Sequence, residues 1–178
     1  MDALVYLGPE GTFTHQAALA LAPQDVRLTP LGDLSAVLDA LKTGAAAYAV
    51  AAETSAAGSI TETVEALEAG WAQVMARHGV AVSFDLYRRP DDDAALAGVY
   101  GHEKALAQIR PWVEARGLRT EAAASNTTGL AAVRNGARPG WGAVGPPGLA
   151  AKYGLEVTAR ALEGPHRNET VFVLLRRA

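Results

Sequence analysis

Apolar and polar positions fall in blocks along the chain, and the period of the pattern changes from block to block. ALVYL (3–7) is an apolar run of strand length. THQAALALA (14–22) runs at helical length until Pro23, which cannot continue a helix. VRLTPL (26–31) predicts a second strand. In DLSAVLDALKTG (33–44), Leu34, Val37, Leu38 and Leu41 recur at i, i+3, i+4 and i+7, one face of a helix that Gly44 ends. YAVAA (48–52) predicts a strand, and SITETVEALEAG (59–70) a helix whose early acids suit the positive end of its dipole. GVAVSFDLYR (79–88) alternates as one long strand, followed by the polar loop RPDDDAA (89–95). Then come a strand (96–101), a helix broken near Pro111 (103–117), a strand (118–123), a helix (127–136) and a strand (140–145). A short helix (147–154) and strands at 155–162 and 169–177 complete the pattern. Strands alternating with helices predict an α/β fold with largely parallel sheets.

Residues 34–52 and 126–145 echo one another: each is a helix, then a basic residue, one residue and glycine (Lys42-Thr43-Gly44; Arg134-Asn135-Gly136), then a strand centred on Ala-Val. The echo predicts two similar lobes, residues 1–78 with 163–178 and residues 79–162, around a central cleft that would hold a ligand. The 79–88 strand would carry the chain across, and the last strand would bring it back.

Composition narrows the function classes. Over 178 residues, 49% hydrophobic and 20% charged positions are ordinary for a globular chain, and the net charge of −3 favours neither nucleic acid nor an anionic membrane. The absence of cysteine removes disulfides and thiolate metal sites. The start, MDALVYLG, lacks the features of a signal peptide, and no run of about 18 apolar residues occurs. A cytoplasmic protein is expected.

The candidate chemistry begins at GPEGTFTHQAA (8–18). Gly8-x-x-Gly11 has neither the dinucleotide nor the nucleotide-phosphate spacing. It reads either as a strand-to-helix turn capped by threonine, or as a carboxylate cradle of helix-start N–H groups with Thr12 and Thr14 beside them. ASNTTGLAAV (124–133) offers the same choice, with Ser125, Asn126, Thr127 and Thr128 crowding a second helix start. Two such starts would suit a small dicarboxylate. Glu53 follows a strand, where open α/β sheets present ligands, or is a solvated loop acid. His15, His78, His102 and His166 have no metal-ligand spacing, Asp91-Asp92-Asp93 lacks the rest of a calcium loop, and no G-x-S-x-G is present.

Six segments in order resemble the catalytic domain of the prephenate dehydratase family. GPEGTFTHQAA resembles its opening motif, and AVAAETSAAGSITETVEAL (49–67) its Pro-Ile-Glu-Asn-Ser segment. VYGHEKALAQIRPWV (99–113) resembles its Val-Tyr-Ser-His-Pro-Gln-Ala-Leu-x-Gln segment, and SNTTGLAAV its Ser-(Ser/Thr)-x-x-Ala-Ala helix start. AKYGLEV (151–157) and NETVFVLL (168–175) resemble its Tyr-Gly-Leu element and its closing Asn-x-Thr-Arg-Phe motif. The departures are Thr54 for Asn, Gly101 for Ser, Glu103-Lys104 for Pro-Gln and Val171 for Arg, read here as lost polar groups.

The resemblance implies a two-lobed α/β fold laid out like a periplasmic binding protein, and a lyase that converts prephenate to phenylpyruvate in phenylalanine biosynthesis. It carries catalytic roles to Thr170, Glu53 and Gln108, with Thr170 as proton donor. Substrate-binding roles fall to Thr12, Thr14, Thr54, Ser55, His102, Ser125, Asn126, Thr127, Thr128 and Phe172. It implies no cofactor or metal, no nucleic-acid or membrane partner, and a homodimer or a monomer. Relatives that decarboxylate prephenate without aromatisation lack the threonine of the closing motif, so Thr170 favours dehydration over that alternative. A small-acid binding protein on the same scaffold is the non-enzymatic alternative. Only VLLRRA (173–178) follows Phe172, so no phenylalanine-binding regulatory domain is expected, nor inhibition by phenylalanine.

Overall fold

In a computed structural model of the chain, residues 2–55, 58–136, 138–164 and 168–178 are described; His166 lies outside them. The first elements are β1 (Ala3–Leu7), α1 (Phe13–Leu21), β2 (Arg27–Leu31), α2 (Leu34–Thr43), β3 (Tyr48–Ser55), β4 (Gly58–Ser59), α3 (Thr61–Glu68) and β5 (Ala72–Val82). There follow β6 (Asp85–Arg88), β7 (Gly98–Gly101), α4 (Glu103–Gln108), α5 (Arg110–Glu114), β8 (Arg119–Ala122), α6 (Asn126–Arg134), β9 (Trp141–Gly145), α7 (Ala150–Tyr153), β10 (Glu156–Ala159) and β11 (Asn168–Arg177). They form two compact units, each with its own mixed sheet.

The first unit holds β1–β5, β11 and α1–α3, with strand order β2-β1-β3-β11-β5 and β4 beside β3. β1 runs parallel to β2 and β3, whereas β11 is antiparallel to both β3 and β5. Period-two alternation divides these strands between two cores. Val5, Ala49, Ala51, Val173 and Leu175 face α2 and α3, packing on Val37, Leu38, Leu41 and Ala66. Leu4, Tyr6, Val50, Val80, Phe172 and Leu174 face α1, packing on Ala17 and Ala18. Each fully buried Val or Leu contributes about 1.5–3 kcal/mol. The boundaries of α2 follow from local chemistry: Asp33 Oδ1 accepts from Ala36 N at 2.7 Å, and Gly44 takes the left-handed conformation at φ 79 that closes the helix.

The second unit, from Ser83 onward, holds β6–β10 and α4–α7. Its strand order is β10-β6-β9-β7-β8, with β7 parallel to β8 and β9, and β6 antiparallel to β9 and β10. Tyr87, Tyr100, Leu130, Val133, Trp141 and Ala143 form its core. The two echoing segments are α2–β3 in one unit and α6–β9 in the other.

Two sequence expectations change, and the helix break expected near Pro111 is present. The single strand over 79–88 is two strands in two sheets. At the break, Phe84 N donates to Glu163 Oε2 at 2.9 Å and Phe84 O accepts from Leu162 N at 2.9 Å, so this backbone pairs with the 162–163 turn. Side-chain alternation continues through such a break and cannot reveal it. The chain leaves the first sheet after Val82, four residues beyond the expected position 78, because β5 runs on alongside β11. The helix over 103–117 is α4 and α5, separated at Ile109, with Pro111 in the first turn of α5, where a missing N–H costs nothing.

Candidate active site

In the first unit, topology gathers the candidates at one end of the sheet. The carboxyl ends of parallel β1 and β3 coincide with the amino end of antiparallel β11, where Val171 pairs with Thr54. The turn at 8–12, the residues Glu53–Ser55 and Thr170 therefore share the edge where open α/β sheets present ligands. Alternation on β11 puts Thr170 with Phe172 on the α1 face, opposite Val80 of β5, and Val171 on the α2/α3 face.

The turn after β1 is built around Thr12. Its hydroxyl donates to Pro9 O at 3.0 Å and accepts from His15 N at 3.2 Å, capping α1. Gly11 N donates to His15 Nδ1 at 3.0 Å, and the His15 ring stacks on Tyr6 with centroids 5.4 Å apart. Thr12 is thus spent on the turn itself, and Thr14, half-buried at the second helical position, takes no part in those bonds. The capping reading of the motif holds for Thr12.

Glu53 sits at a β-bulge. On β11, Val171 pairs with Thr54 and Phe172 with Ala52, so Glu53 is the extra residue between them. Bulges re-aim side chains, and here the carboxylate turns toward β5. Arg77 Nε donates to Oε2 at 2.9 Å and an Arg77 terminal nitrogen donates to Oε1 at 2.8 Å, a bidentate pair. That hydrogen bonding holds the Glu53 carboxyl below its ordinary value, burial opposing and the Arg77 charge reinforcing it. Glu53 is accordingly ionised at neutral pH and is no proton donor.

Phe172 is 3% exposed, packed within the α1 core. Its aromatic character in the closing motif reads as packing.

In the second unit, His102 and the 125–128 turn follow the carboxyl ends of β7 and β8. Asn126 Oδ1 accepts from His102 N at 2.8 Å, fastening the two turns together, and His102 Nδ1 accepts from Lys104 N at 3.2 Å as the cap of α4. Ser125 caps α6 by accepting from Thr128 N at 3.1 Å, and its hydroxyl lies 2.9 Å from Thr127 Oγ1 and 2.8 Å from Thr128 Oγ1. Thr127 is buried, Ser125 half-buried and Thr128 exposed, so the cluster grades from core to solvent. A carboxylate placed there would meet a helix of nine residues at its positive end. Gln108 closes α4 at the far end from His102, about 9 Å along the axis.

Arg77 and its β5 neighbours escaped the sequence reading, which begins this strand only at Gly79. The alternation of Gln73, Met75, Arg77 and Gly79 with Val74, Ala76, His78 and Val80 was the available signal. Among the described residues no group of three or more His, Cys, Asp or Glu side chains could hold a metal ion, and no helix is long and apolar enough to cross a membrane.

Comparison with known proteins gives this geometry a family. The prephenate dehydratase model matches residues 4–178. A prephenate dehydratase of Mycobacterium sp. (strain JLS) is 34% identical over 99% of this chain and 60% of its own length. The chain thus spans 60% of that relative. The solved prephenate dehydratase of Staphylococcus aureus subsp. aureus Mu50 shares the fold, with a TM-score of 0.84 at 22% identity over 99% of this chain and 66% of that one. The periplasmic VFT2 domain of Bordetella pertussis BvgS aligns with a TM-score of 0.50 at 14% identity over 99% of this chain and 80% of its own, a likeness of fold alone. With the motifs of both units falling in order within the matched span, the chain belongs to the prephenate dehydratase family.

Proposed function

We propose that the protein converts prephenate to phenylpyruvate, carbon dioxide and water. The observation that carries this reading is Thr170, the threonine of the closing motif, half-buried at the ligand-presenting edge of the first sheet. As the ring carboxylate leaves as carbon dioxide, its bonding electron pair enters the ring and expels the ring hydroxyl, which takes up a proton to leave as water. A threonine hydroxyl is too weak an acid to supply that proton outright, so Thr170 acts by hydrogen bonding to the departing oxygen and relaying a proton to it. Glu53, held ionised by Arg77, serves as a fixed hydrogen-bond acceptor, with Thr54 and Ser55 beside it. Considered by itself, the second unit offers Ser125, Thr127 and Thr128 at the start of α6 as a cradle suited to a carboxylate, with Asn126 holding that turn to that of His102. Thr14 contributes a hydroxyl at the start of α1. We place the reaction in the cytoplasm and in phenylalanine biosynthesis.

Replacing Thr170 by Val keeps its shape and removes the hydroxyl. Turnover of prephenate is expected to fall roughly a hundredfold, with an unchanged melting temperature. A T170V protein with wild-type turnover would remove Thr170 from the chemistry.

A further inference from the structure

The α2/α3 face of the first sheet carries an arrangement that the motifs do not describe. Position 171, where the family's closing motif has arginine, is Val171 here, and it lies between Thr54 on β3 and Gly79 on β5. Two carboxylates flank it. Glu53 stands at the bulge on one side. Glu169, two residues earlier on β11, lays its carboxyl group over Gly79, where an added Cβ would come within 2.7 Å of it. A strand position flanked in this way calls for a cation on the same face. Val171 supplies none, but Arg77 does: it pairs with Val173 in register, so it projects from the same face, and its fork closes on both oxygens of Glu53.

We propose that Arg77 is the positioning residue for the Glu53 carboxylate, delivering from β5 the guanidinium that the closing motif would place on β11 at position 171. The departure at Val171 is then a relocation of charge from one strand to the next, and no charge is lost from this face. The fork geometry explains why an arginine does this: a planar guanidinium fixes both carboxylate oxygens, where a lysine would make one point contact. The bulge explains why β5 can be the source, since the extra residue swings Glu53 across β11 and into the reach of Arg77. Arg77 is largely exposed, so it acts by holding Glu53 in one orientation and in its ionised form, without itself contributing to the core.

Other charges stand on the elements packed here: Glu169 on β11, Glu62 and Glu65 on α3, and Asp39 and Lys42 on α2. Among the described residues, Arg77 is the one in ion-pair contact with Glu53.

The test moves the guanidinium. The Glu53 side-chain carboxyl is titrated by carbon-detected NMR in the wild type, R77A, R77Q, V171R and the double variant R77A/V171R, and kcat and KM for prephenate are measured on the same samples. Glu53 is expected to titrate below the ordinary glutamate range in the wild type, to move up in R77A and R77Q, and to return downward in R77A/V171R. The turnover arm rests on the function proposed above: kcat is expected to fall about tenfold in R77A, with a smaller change in KM, and to recover in the double variant. If the wild type does not turn over prephenate, that function fails while the titration still decides the role of Arg77. An unchanged Glu53 titration in both R77A and R77Q overturns the proposal. So does a double variant whose Glu53 titration stays at the R77A position, or one that regains the titration without regaining turnover in an active enzyme.

Discussion

Restoring the family's serine at position 101 should damage this protein, because the departure is a packing requirement. Gly101 ends β7 immediately before His102, and an ideal Cβ on it would lie 2.5 Å from Val144 Cγ2 and 3.2 Å from Leu106 Cδ2. Carbon atoms in contact sit about 3.5–4.0 Å apart, so the Val144 contact is short by roughly 1 Å. Val144 has no room to yield: it is 0% exposed on β9, a central strand, and its β-branched side chain is stiff at χ1. Gly101 itself does not have positive φ, so the cost comes from crowding alone. Overpacking of this kind costs about 1–3 kcal/mol. A 2 kcal/mol loss lowers the thermal midpoint of a chain this long by roughly 4–8 °C. Urea unfolding of G101S, V144A and G101S/V144A measures it. Each single variant should be destabilised, and the double variant should lose at least about 1 kcal/mol less than the sum, since the valine methyl that blocks the new side chain is gone. A G101S protein within about 0.3 kcal/mol of the wild type, or strictly additive losses, would refute the packing account.

Phe172→Ala should cost about 3–5 kcal/mol as a core truncation while leaving KM for prephenate unchanged in the folded protein; a selective rise in KM at unchanged stability would return Phe172 to the binding surface. Thr12→Ala should cost about 1 kcal/mol through loss of the α1 cap, measured by urea unfolding, and an unaltered midpoint would contradict the capping assignment. Asp85, 2% exposed on β6, has its carboxyl pushed up by burial against the opposing bonds from Ala161 N and Arg160. A raised carboxyl favours the folded state below its unfolded value and loses that contribution as pH rises through its folded value, so Asp85→Asn should gain stability relative to the wild type across that rise. Parallel stability curves for the two proteins would show that Asp85 is not shifted.

The fold was legible where local chemistry decides it. The spacing of Leu34, Val37, Leu38 and Leu41 with Gly44 after them defined α2 almost to the residue, and Thr12 and Ser125 proved to be helix caps, as their positions suggested. What escaped was set by distant pairing. The break at Ser83–Phe84 depends on Glu163 and Leu162, far along the chain, and β5 owes its length to β11, which pairs with it from Ala72 to Val82. The candidate site divides in the same way. The residue types at 53, 125–128 and 170 could be read from motifs, but the bulge that turns Glu53 and the arginine that receives it arise from sheet register. The resemblance carried a binding role to Phe172, and its burial was invisible until the two faces of β11 were assigned.

The most direct measurement is the identity of the product. Purified protein incubated with prephenate near neutral pH, where uncatalysed breakdown is followed in a parallel sample without protein, is analysed by mass spectrometry with T170V alongside. The account predicts a product that has lost both carbon dioxide and water, with the mass and enol absorbance of phenylpyruvate, formed far faster than in either control. A product that has lost carbon dioxide but kept the hydroxyl oxygen, or prephenate bound and returned unchanged, would contradict it.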